Sequence, residues 1–245
     1  MGSEEVKEVW KDFWLRDKGR EVFLDEMSET ILKELLVHCG TVHGKKILEA
    51  GSGRGVISAE MAKLGAEVSL IDISSDALEI AQKYFTSKKI HASFIHGDIF
   101  SLPFERGTFD MGWNAGVLEH FEEEPQVQIL RNIENVIKPG GMFITFNPSD
   151  SAFFYKIGKW FAEKKGQWPY GPEFPVKTLR EQCRAAGLTV RGEYPICFQE
   201  NLSFFSYASK LLWRILKRIA RLFPDDLLMG MFGGYLLVTV AVKES

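Results

Sequence analysis

An alternation of two kinds of segment between residues 45 and 147 constrains the fold more than any other feature of this chain. Short runs rich in β-branched and aromatic residues predict strands, and the intervening stretches, whose apolar residues recur every three or four positions, predict helices. The predicted strands are KKILEA, EVSLIDIS, ASFIHGD, FDMGWNA and MFITFNP, and the predicted helices are VISAEMAKLG, SSDALEIAQKYF and PQVQILRNIENVIK. This order indicates an α/β fold: a Rossmann-like, doubly wound, mostly parallel sheet covered on both faces.

Capping residues set the expected limits of these helices. A serine and an aspartate open SSDALEIAQKYF, where their side chains can accept hydrogen bonds from free backbone N–H groups. Pro125 stands at the start of the last helix, and Pro139-Gly140-Gly141 is expected to end it.

The segments outside this core are predicted to complete one domain over residues 1–245. Residues 1–44 read as a helical cap and residues 45–147 as the ligand-binding core, while 148–175 and 199–232 read as insertions that could cover a site. The stretches TVRGEYPI and YLLVTVAVKE predict two more strands, which brings the sheet to seven.

Composition and charge exclude several classes of protein. A net charge of -3 gives no reason to expect a nucleic-acid partner. Three cysteines without a CxxC pair indicate neither a disulfide framework nor a zinc site. The N-terminal stretch MGSEEVKEVWKDFW is too charged for a secretory signal, so we expect a cytoplasmic protein.

The stretch LEAGSGRG at residues 48–55 predicts a ligand-binding turn after the first strand. A dinucleotide-binding GxGxxG would place its third glycine at Val56, but the third glycine here is Gly55. Glu49 puts a carboxylate just before the turn, which suits a ligand whose nearby end is cationic rather than a pyrophosphate. S-adenosylmethionine carries an ammonium and a sulfonium and no phosphate, so we expect it as the cofactor.

Motifs at the ends of the later strands agree with this cofactor. The ordered set LEAGSGRG, LID, GDIFSLPF, FDMGWNAGVLEHF and KPGG resembles the class I S-adenosylmethionine-dependent methyltransferases, particularly the small-molecule group with GDxxxLPF and GVLEH signatures. The resemblance is strong over residues 45 to 147 and extends to the final strand pair, which in that family forms an antiparallel hairpin. It implies methyl transfer, with S-adenosylhomocysteine as the product.

The predicted cofactor contacts fall at four strand ends. The resemblance implies that the residues of the first turn bracket the aminoacyl part of the cofactor: Glu49, Gly51, Ser52, Gly53 and Gly55. Asp72 can accept hydrogen bonds from the ribose hydroxyls, and Asp98, after Gly97, can accept one from the adenine amino group. Ile73 and Ile99 can sandwich the ring, and Asn114 is expected near the methionine end.

Glu119 and His120 are the titratable pair expected nearest the methyl group. They could act as a base or orient the acceptor, or they could simply hold the loop. Some methyltransferases bind a divalent metal through ExxEH at this place. Gly116 replaces the first acid here, so we predict no metal.

Aromatic residues in the variable segments predict the character of the acceptor. Trp14 of the N-terminal helix and Tyr155, Trp168 and Tyr170 of the 148–175 insertion are candidate lid or substrate residues. Such rings above the carboxyl end of a sheet would form an apolar pocket that excludes water. We therefore expect a small acceptor with substantial apolar or lipid-like surface.

The insertion 199–232 contains an amphipathic stretch at 209–223, SKLLWRILKRIARLF, with five basic residues and no acid. It could cover the acceptor pocket, lie on an anionic membrane surface as a peripheral contact, or pack its apolar stripe on the core. The sequence leaves these three alternatives open, and it gives no information on oligomeric state.

Three other functions stay open beside the leading interpretation. A nicotinamide-dependent oxidoreductase is disfavoured by Val56 and by Asp98. A catalytically inactive, methyltransferase-like module that only binds the cofactor is not excluded by any motif. A methyltransferase acting on a protein or RNA is disfavoured by the acidic balance of charge and by the aromatic insertions.

Overall fold

The computed structural model describes residues 3–244, with side chains from residue 6 onward. Ten α-helices and seven strands follow one another in these ranges: α1 Ser3–Asp17, α2 Glu26–Cys39, β1 Lys46–Ala50, α3 Val56–Lys63, β2 Glu67–Asp72, α4 Ser75–Lys88, β3 Ser93–His96, β4 Phe109–Ala115, α5 Glu123–Val136, β5 Ile137–Pro148, α6 Phe153–Lys164, α7 Arg180–Ala185, β6 Leu188–Ile196, α8 Phe198–Phe204, α9 Lys210–Ala220, α10 Asp225–Phe232 and β7 Leu236–Lys243. One-turn 3₁₀ helices occur at Leu118–His120 and Phe205–Tyr207. Among these residues no helix has the length and apolar character needed to span a membrane.

The seven strands form one sheet in the order β3-β2-β1-β4-β5-β7-β6. The first five run parallel, and β7 runs antiparallel to both β5 and β6. This arrangement confirms the predicted Rossmann-like sheet with a C-terminal antiparallel hairpin. The order of the strands reverses between β1 and β4, and in open α/β sheets ligands bind at the carboxyl ends of the strands at such a point.

Helices cover both faces of the sheet because successive strand residues point to opposite sides. Ile47, Leu70 and Ile144 belong to the apolar cluster that contains residues of α2, α3 and α4. Their neighbours Leu48 and Ile71 belong to the cluster on the other face, which contains residues of α5 and α7. Near-complete burial on both faces explains why these strands read as continuous apolar runs.

The predicted end of the third core helix, at Lys138, is wrong by two residues. Helix α5 ends at Val136, and Ile137 already begins β5. Pro139-Gly140-Gly141 therefore lies within this irregular strand, where the register of β4 against β5 shifts between Phe109 and Met111. The helix ends before the proline because Pro disfavours a helical conformation at the residue that precedes it.

The insertion 199–232 builds a separate apolar cluster with α6. Phe154 of α6 packs with Phe198 and Leu202 of α8, and Ala220 and Leu228 complete the buried part of this cluster. The segment is therefore a small helical layer at the antiparallel end of the sheet.

Candidate active site

A cavity of about 350 Å³ lies at the carboxyl ends of β1, β2 and β4, where the strand order reverses. This volume is in the range of pockets that hold small molecules. The loop between β1 and α3 forms one side of the cavity, and aromatic residues of α1 form another. The loop after β3 and the 3₁₀ turn after β4 complete its wall.

Most of the predicted cofactor residues line this cavity. They are Glu49, Gly51, Ser52, Gly53, Gly55, Asp72, Ile73, Asp98 and Ile99. Gly97 and Asn114 do not. The Gly97 N–H donates to the Asp72 backbone carbonyl at 3.1 Å, and Asn114 accepts a hydrogen bond from the Thr145 hydroxyl at 2.5 Å. Asn114 is therefore directed between β4 and β5, while Trp113 and Ala115 on either side of it line the cavity.

The glycine-rich loop has a conformation that other residues would strain. Gly55 has φ +63°, and a Cβ at this position would lie 2.3 Å from the Leu70 side chain. A Cβ at Gly53 would lie 2.9 Å from the Trp14 ring. The loop is therefore packed from β2 on one side and from α1 on the other.

Two buried carboxylates give the cavity its electrostatic character. The Asp72 carboxylate accepts hydrogen bonds from the N–H groups of Gly53 and Ser74, each at 2.8 Å. Burial raises the pKa of Asp72, although these N–H groups oppose the shift. Burial also raises the pKa of Glu49 well above its usual value, and the charge of Asp72 adds to the effect. Such a cavity favours a cationic ligand, because a bound positive charge stabilises the ionised forms of both buried carboxylates.

The cavity offers polar atoms that the protein itself leaves unpaired. Glu49 Oε2 and Ser52 Oγ are buried and lack a hydrogen-bond partner among the described residues. Buried polar groups are nearly always hydrogen-bonded, so unpaired atoms on a cavity wall indicate ligand contacts. Together with the two carboxylates, they fit the aminoacyl and ribose groups of S-adenosylmethionine.

Helix α1 closes one side of the cavity and is attached to the core by charged residues. Arg54 of the glycine-rich loop donates to the buried Asp17 carboxylate, with its Nε 2.7 Å from Oδ2. Lys18 pairs with Asp76 at 2.8 Å and with Glu79 at 2.9 Å, both on α4. The contact between Arg54 and Asp17 attaches the end of α1 directly to the glycine-rich loop.

The part of the cavity beyond the glycine-rich loop is aromatic. Trp10, Phe13 and Trp14 of α1 form mutual ring contacts, and Phe13 packs against Tyr170 with ring centroids 5.5 Å apart. The Trp10 ring meets the His120 ring edge to face at 5.4 Å. This region suits an acceptor with apolar or aromatic surface.

His120 lies on the cavity wall with one ring nitrogen already engaged. Its Nδ1 is 3.1 Å from the Pro172 carbonyl oxygen, so the ring carries its proton on Nδ1 and donates it to that oxygen. Burial lowers the pKa of His120 to about 4. The imidazole is therefore neutral at physiological pH, and its Nε2 has a free lone pair. Glu119 Oε1 is 4.0 Å from this nitrogen, beyond hydrogen-bond reach.

A buried polar cluster backs His120, and its central residue was missed by sequence reasoning. Glu173 accepts a hydrogen bond from the Tyr155 hydroxyl at 2.7 Å and lies 3.5 Å from the Lys159 ammonium. Burial raises the pKa of Glu173, while Tyr155 and Lys159 oppose the shift. Burial and the charge of Glu173 raise the pKa of Glu119 well above its usual value. Nothing in the local sequence around Glu173 indicates this position, because tertiary packing brings it there.

Glu119, His120 and Glu173 offer ligand atoms that lie within 4.8 Å of one another, so the geometry could accommodate a metal ion. Gly116 stands where the ExxEH pattern has its first acid, which is why no metal was predicted, and Glu173 brings a third acidic or histidine ligand from a distant segment. However, the Lys159 ammonium and the Tyr155 hydroxyl already satisfy Glu173. The absence of a metal stays a prediction.

The candidate lid residues divide into two groups. Trp14 and Tyr170 line the cavity. Tyr155 and Trp168 lie behind the wall, packed against each other with ring centroids 6.0 Å apart. No residue of 199–232 lines the cavity, so the geometry does not support a lid role for that insertion. Phe23 and Ser28, around the start of α2, line it without having been predicted.

Comparison with known proteins relates this geometry to a family. Residues 47–141 match the family model described as Methyltransferase domain. A mitochondrial ubiquinone biosynthesis O-methyltransferase of Schizosaccharomyces pombe is 32% identical over 149 residues, which cover 58% of this chain and 52% of that protein. The chain thus spans about half the length of the curated relatives it matches.

Two solved structures share the fold over nearly the whole chain. Magnesium protoporphyrin IX methyltransferase from Synechocystis PCC 6803, with S-adenosylhomocysteine bound, superposes with a TM-score of 0.67 at 16% identity and covers 99% of this chain and 100% of its own. The Burkholderia thailandensis 1,6-didemethyltoxoflavin-N1-methyltransferase, with 1,6-didemethyltoxoflavin and S-adenosylhomocysteine bound, gives a TM-score of 0.65 at 18% identity, with coverage of 100% and 92%.

The matched residues 47–141 contain β1 except for its first residue, β2 to β4, the glycine-rich loop, both buried carboxylates and His120. The fold, the cavity and the family model thus agree: residues 47–141 match a methyltransferase domain, and the chain as a whole has the fold of methyltransferases that bind S-adenosylhomocysteine.

Proposed function

We propose that this protein transfers a methyl group from S-adenosylmethionine to a hydroxyl group of a small acceptor with substantial apolar surface. The observation that carries this proposal is His120, whose neutral imidazole has a free Nε2. It lines the same cavity as the glycine-rich loop and the aromatic residues of α1. The name of the Schizosaccharomyces pombe relative, an O-methyltransferase of ubiquinone biosynthesis, supports an oxygen acceptor. The cytoplasmic location expected from the sequence stays a prediction.

The cofactor supplies a methyl group already activated by a sulfonium. Glu49 and Ser52 would hold its aminoacyl end, Asp72 its ribose, and Asp98 with Ile73 and Ile99 its adenine. The aromatic rings of Trp10, Phe13 and Tyr170 would align the acceptor and exclude water, which is what an in-line displacement requires. These assignments rest on the lining of the cavity and on the charges of its carboxylates.

The residue that handles a proton is His120. A hydroxyl acceptor loses its proton as its oxygen forms the bond to the methyl carbon and the carbon–sulfur bond breaks, with S-adenosylhomocysteine as the leaving group. His120 Nε2 accepts that proton, while the Pro172 carbonyl stabilises the imidazolium through Nδ1. Glu119, with Oε1 4.0 Å from Nε2, would stabilise the added positive charge in its ionised form.

Transfer of tritium from methyl-labelled cofactor tests the proposal. The acceptors are phenols with an alkyl tail, the same phenols without the tail, and the matching anilines with the tail. We expect label in the tailed phenols first, and we expect His120→Ala to lower kcat by about 100-fold or more without changing cofactor affinity. His91→Ala, on an exposed loop, is the matched control.

Three results would contradict the proposal. Calorimetric binding of the cofactor without transfer to any acceptor in a cell extract would identify a binding module instead. Label recovered only in protein or RNA would identify a macromolecular acceptor. Equal turnover of the tailed phenols by the wild type and by His120→Ala would show that no base is needed.

A further inference from the structure

Helix α9 has an inward face that packs on the protein and an apolar stripe that does not. Trp213, Leu216 and Ala220 contact the cluster of Phe154, Phe198 and Leu202. A second set of large apolar side chains around this helix and α10 is exposed to solvent. The exposed fractions are Leu211 68%, Leu212 51%, Ile215 45%, Ile219 47%, Leu222 78%, Phe223 47%, Leu227 52% and Met231 65%. We call these eight residues the apolar stripe.

A concentration of exposed apolar residues of this kind needs a physical reason. Single exposed apolar residues are ordinary, but a contiguous set marks an interaction surface. Leu212, Ile215 and Ile219 lie three and four positions apart, so they share one side of the helix. Phe153 of α6, itself about half exposed, contacts the ring of Phe232 at the end of α10, which extends the apolar surface.

Basic residues occupy the remaining side of α9. They are Lys210, Arg214, Lys217, Arg218 and Arg221, and residues 209–223 contain no acid. At 100° per residue these positions fall on an arc between the inward face and the apolar stripe. Lys217 lies over the Trp213 ring at 5.4 Å. The first acids beyond the helix are Asp225 and Asp226, and Asp225 accepts a hydrogen bond from Gln199.

We propose that α9, together with the exposed apolar residues of α10, binds the surface of an anionic lipid bilayer, with the axis of α9 parallel to that surface. The apolar stripe enters the boundary between headgroups and acyl chains, and the basic residues contact lipid phosphates. A short helix with a strong apolar stripe, low mean hydropathy and a basic polar face has the properties of an interfacial helix. Each basic residue near an anionic surface adds attraction that falls off within a Debye length.

The structure argues against the other roles considered for this segment. It is not a pocket cover, because none of its residues lines the cavity. It is not simply packed, because the apolar stripe is exposed. A second copy of this chain would cover the stripe through a two-fold interface that brings the same five basic residues close together on both copies, which costs repulsion. A bilayer containing acidic lipids removes the apolar stripe from water and places phosphates beside the basic residues.

Co-sedimentation with vesicles tests this inference on the full chain. One vesicle is phosphatidylcholine alone, and the other is phosphatidylcholine mixed with phosphatidylglycerol. We expect binding to the mixed vesicle that weakens as salt is raised. Arg214→Gln/Arg218→Gln should weaken partitioning roughly 30-fold. The matched control is Lys33→Gln/Lys83→Gln, which removes two exposed lysines from α2 and α4.

A second pair of variants separates the apolar contribution. Ile215→Asp/Ile219→Asp should abolish sedimentation, whereas Val37→Asp, at an exposed apolar position of α2, should leave it unchanged. All these positions are exposed, so unchanged circular dichroism is expected. Wild-type protein that stays in the supernatant with the mixed vesicle would overturn the proposal. So would variants that bind lipid normally while light scattering shows that they convert a dimer to a monomer. Neither readout depends on methyl transfer, so the outcome is separate from that of the proposed function.

Discussion

At the scale of single residues, Glu49 shows how a binding site can oppose stability. Its carboxyl group is buried, its Oε2 lacks a partner among the described residues, and burial raises its pKa well above the usual value. A buried charge of this kind costs free energy in the empty protein and is compensated only when a cation binds. The residue is therefore placed for the ligand rather than for the fold.

Replacing Glu49 by Gln should separate these two effects. The neutral amide removes the buried charge, so we expect the empty protein to melt a few degrees higher, equivalent to roughly 1 kcal/mol. The same change removes the attraction for a cationic ligand, and we expect S-adenosylmethionine to bind about ten- to a hundredfold more weakly. Differential scanning fluorimetry and calorimetry give the two quantities. Loss of stability together with unchanged affinity would show that Glu49 is a structural residue.

The pH dependence of catalysis reports on His120. Its pKa is lowered to about 4, so in its proposed role as the base it would stay unprotonated from neutral pH down to near that value, and protonation would remove activity below it. We therefore expect kcat/KM for an un-ionised hydroxyl acceptor to stay flat between about pH 8 and 5.5. An ordinary histidine would give an acidic limb near pH 6.5. An inflection at that higher value would show that His120 is either solvated or not the base.

At the scale of elements, α1 acts as a cover whose attachment is electrostatic. Asp17 is buried, and Arg54 is its main partner, whereas Lys18 pairs with Asp76 and Glu79 at a more exposed position. Exposed salt bridges contribute little to stability, but removing the partner of a buried carboxylate leaves an uncompensated buried charge. The contact between Asp17 and Arg54 therefore controls whether α1 stays on the glycine-rich loop.

Arg54→Ala should loosen α1 and speed loss of the cofactor. We expect the dissociation rate to rise about tenfold, corresponding to an interaction of about 1.4 kcal/mol, with a smaller change in the association rate. Stopped-flow tryptophan fluorescence can follow this, because Trp10 and Trp14 line the cavity. Arg16→Ala, one position before Asp17 on an exposed part of α1, is the control. Equal rates in both variants would refute a covering role for this helix.

The loop between α6 and α7 meets the 3₁₀ turn at Glu119 and His120, and this contact bears on metal dependence. Phe174 N–H donates to the Glu119 carbonyl at 2.7 Å, which holds Glu173 near His120. Since the Tyr155 hydroxyl donates a hydrogen bond to Glu173 and the Lys159 ammonium pairs with it, we expect activity to be insensitive to EDTA and no metal to be found by elemental analysis of the purified protein. Stoichiometric zinc or magnesium, with activity lost on chelation and restored by the metal, would contradict this.

Sequence reasoning was most successful where local pattern and tertiary structure coincide. The strands and helices of residues 45–147 were predictable because burial on both sheet faces produces apolar runs, and capping residues such as Ser74 mark their limits. The cavity lining by Asp72 and Asp98 followed from their places at strand ends. The position of Glu173 was not predictable, because a loop residue 53 positions beyond His120 carries no periodic signal. The exposure of the apolar stripe also depends on which face of α9 packs, and spacing alone does not determine that.

At the scale of the whole molecule, the buried carboxyl groups should make stability depend on pH and on the cofactor. Burial raises the pKa values of Glu49, Asp72, Glu119 and Glu173 above those of the unfolded chain. A group whose folded pKa is raised contributes stability that is present at low pH and is lost as pH rises through the folded pKa. The pKa of His120 is shifted in the opposite direction, to about 4. Its contribution to stability is therefore present above about pH 6.5 and is lost as pH falls from there towards 4.

Above about pH 6.5 the contribution of His120 is constant, so the raised pKa values of the carboxyl groups should make the melting temperature of the empty protein rise as pH falls towards that value. Cofactor binding favours the ionised carboxylates, so the temperature shift that it produces should be larger at about pH 8 than at about pH 6. Thermal melts across this range, with and without S-adenosylmethionine, measure both trends. In Glu49→Gln both should be reduced. A melting temperature that does not rise as pH falls would show that burial does not raise the pKa values of these carboxyl groups.

The stretch from Tyr170 to Glu173 has a consequence for how acceptor preference can change. Tyr170 forms part of the cavity wall, and the backbone carbonyl of Pro172, two residues later, fixes the tautomer of His120. A substitution at Tyr170 that reshapes the cavity therefore also moves the Pro172 carbonyl, which orients the His120 imidazole. On the proposed role of His120, altered substrate choice and altered proton transfer should be inherited together in descendants of this protein that vary here. Variation at Trp10 or Phe13, on a separate helix, leaves that carbonyl in place and can change the acceptor alone.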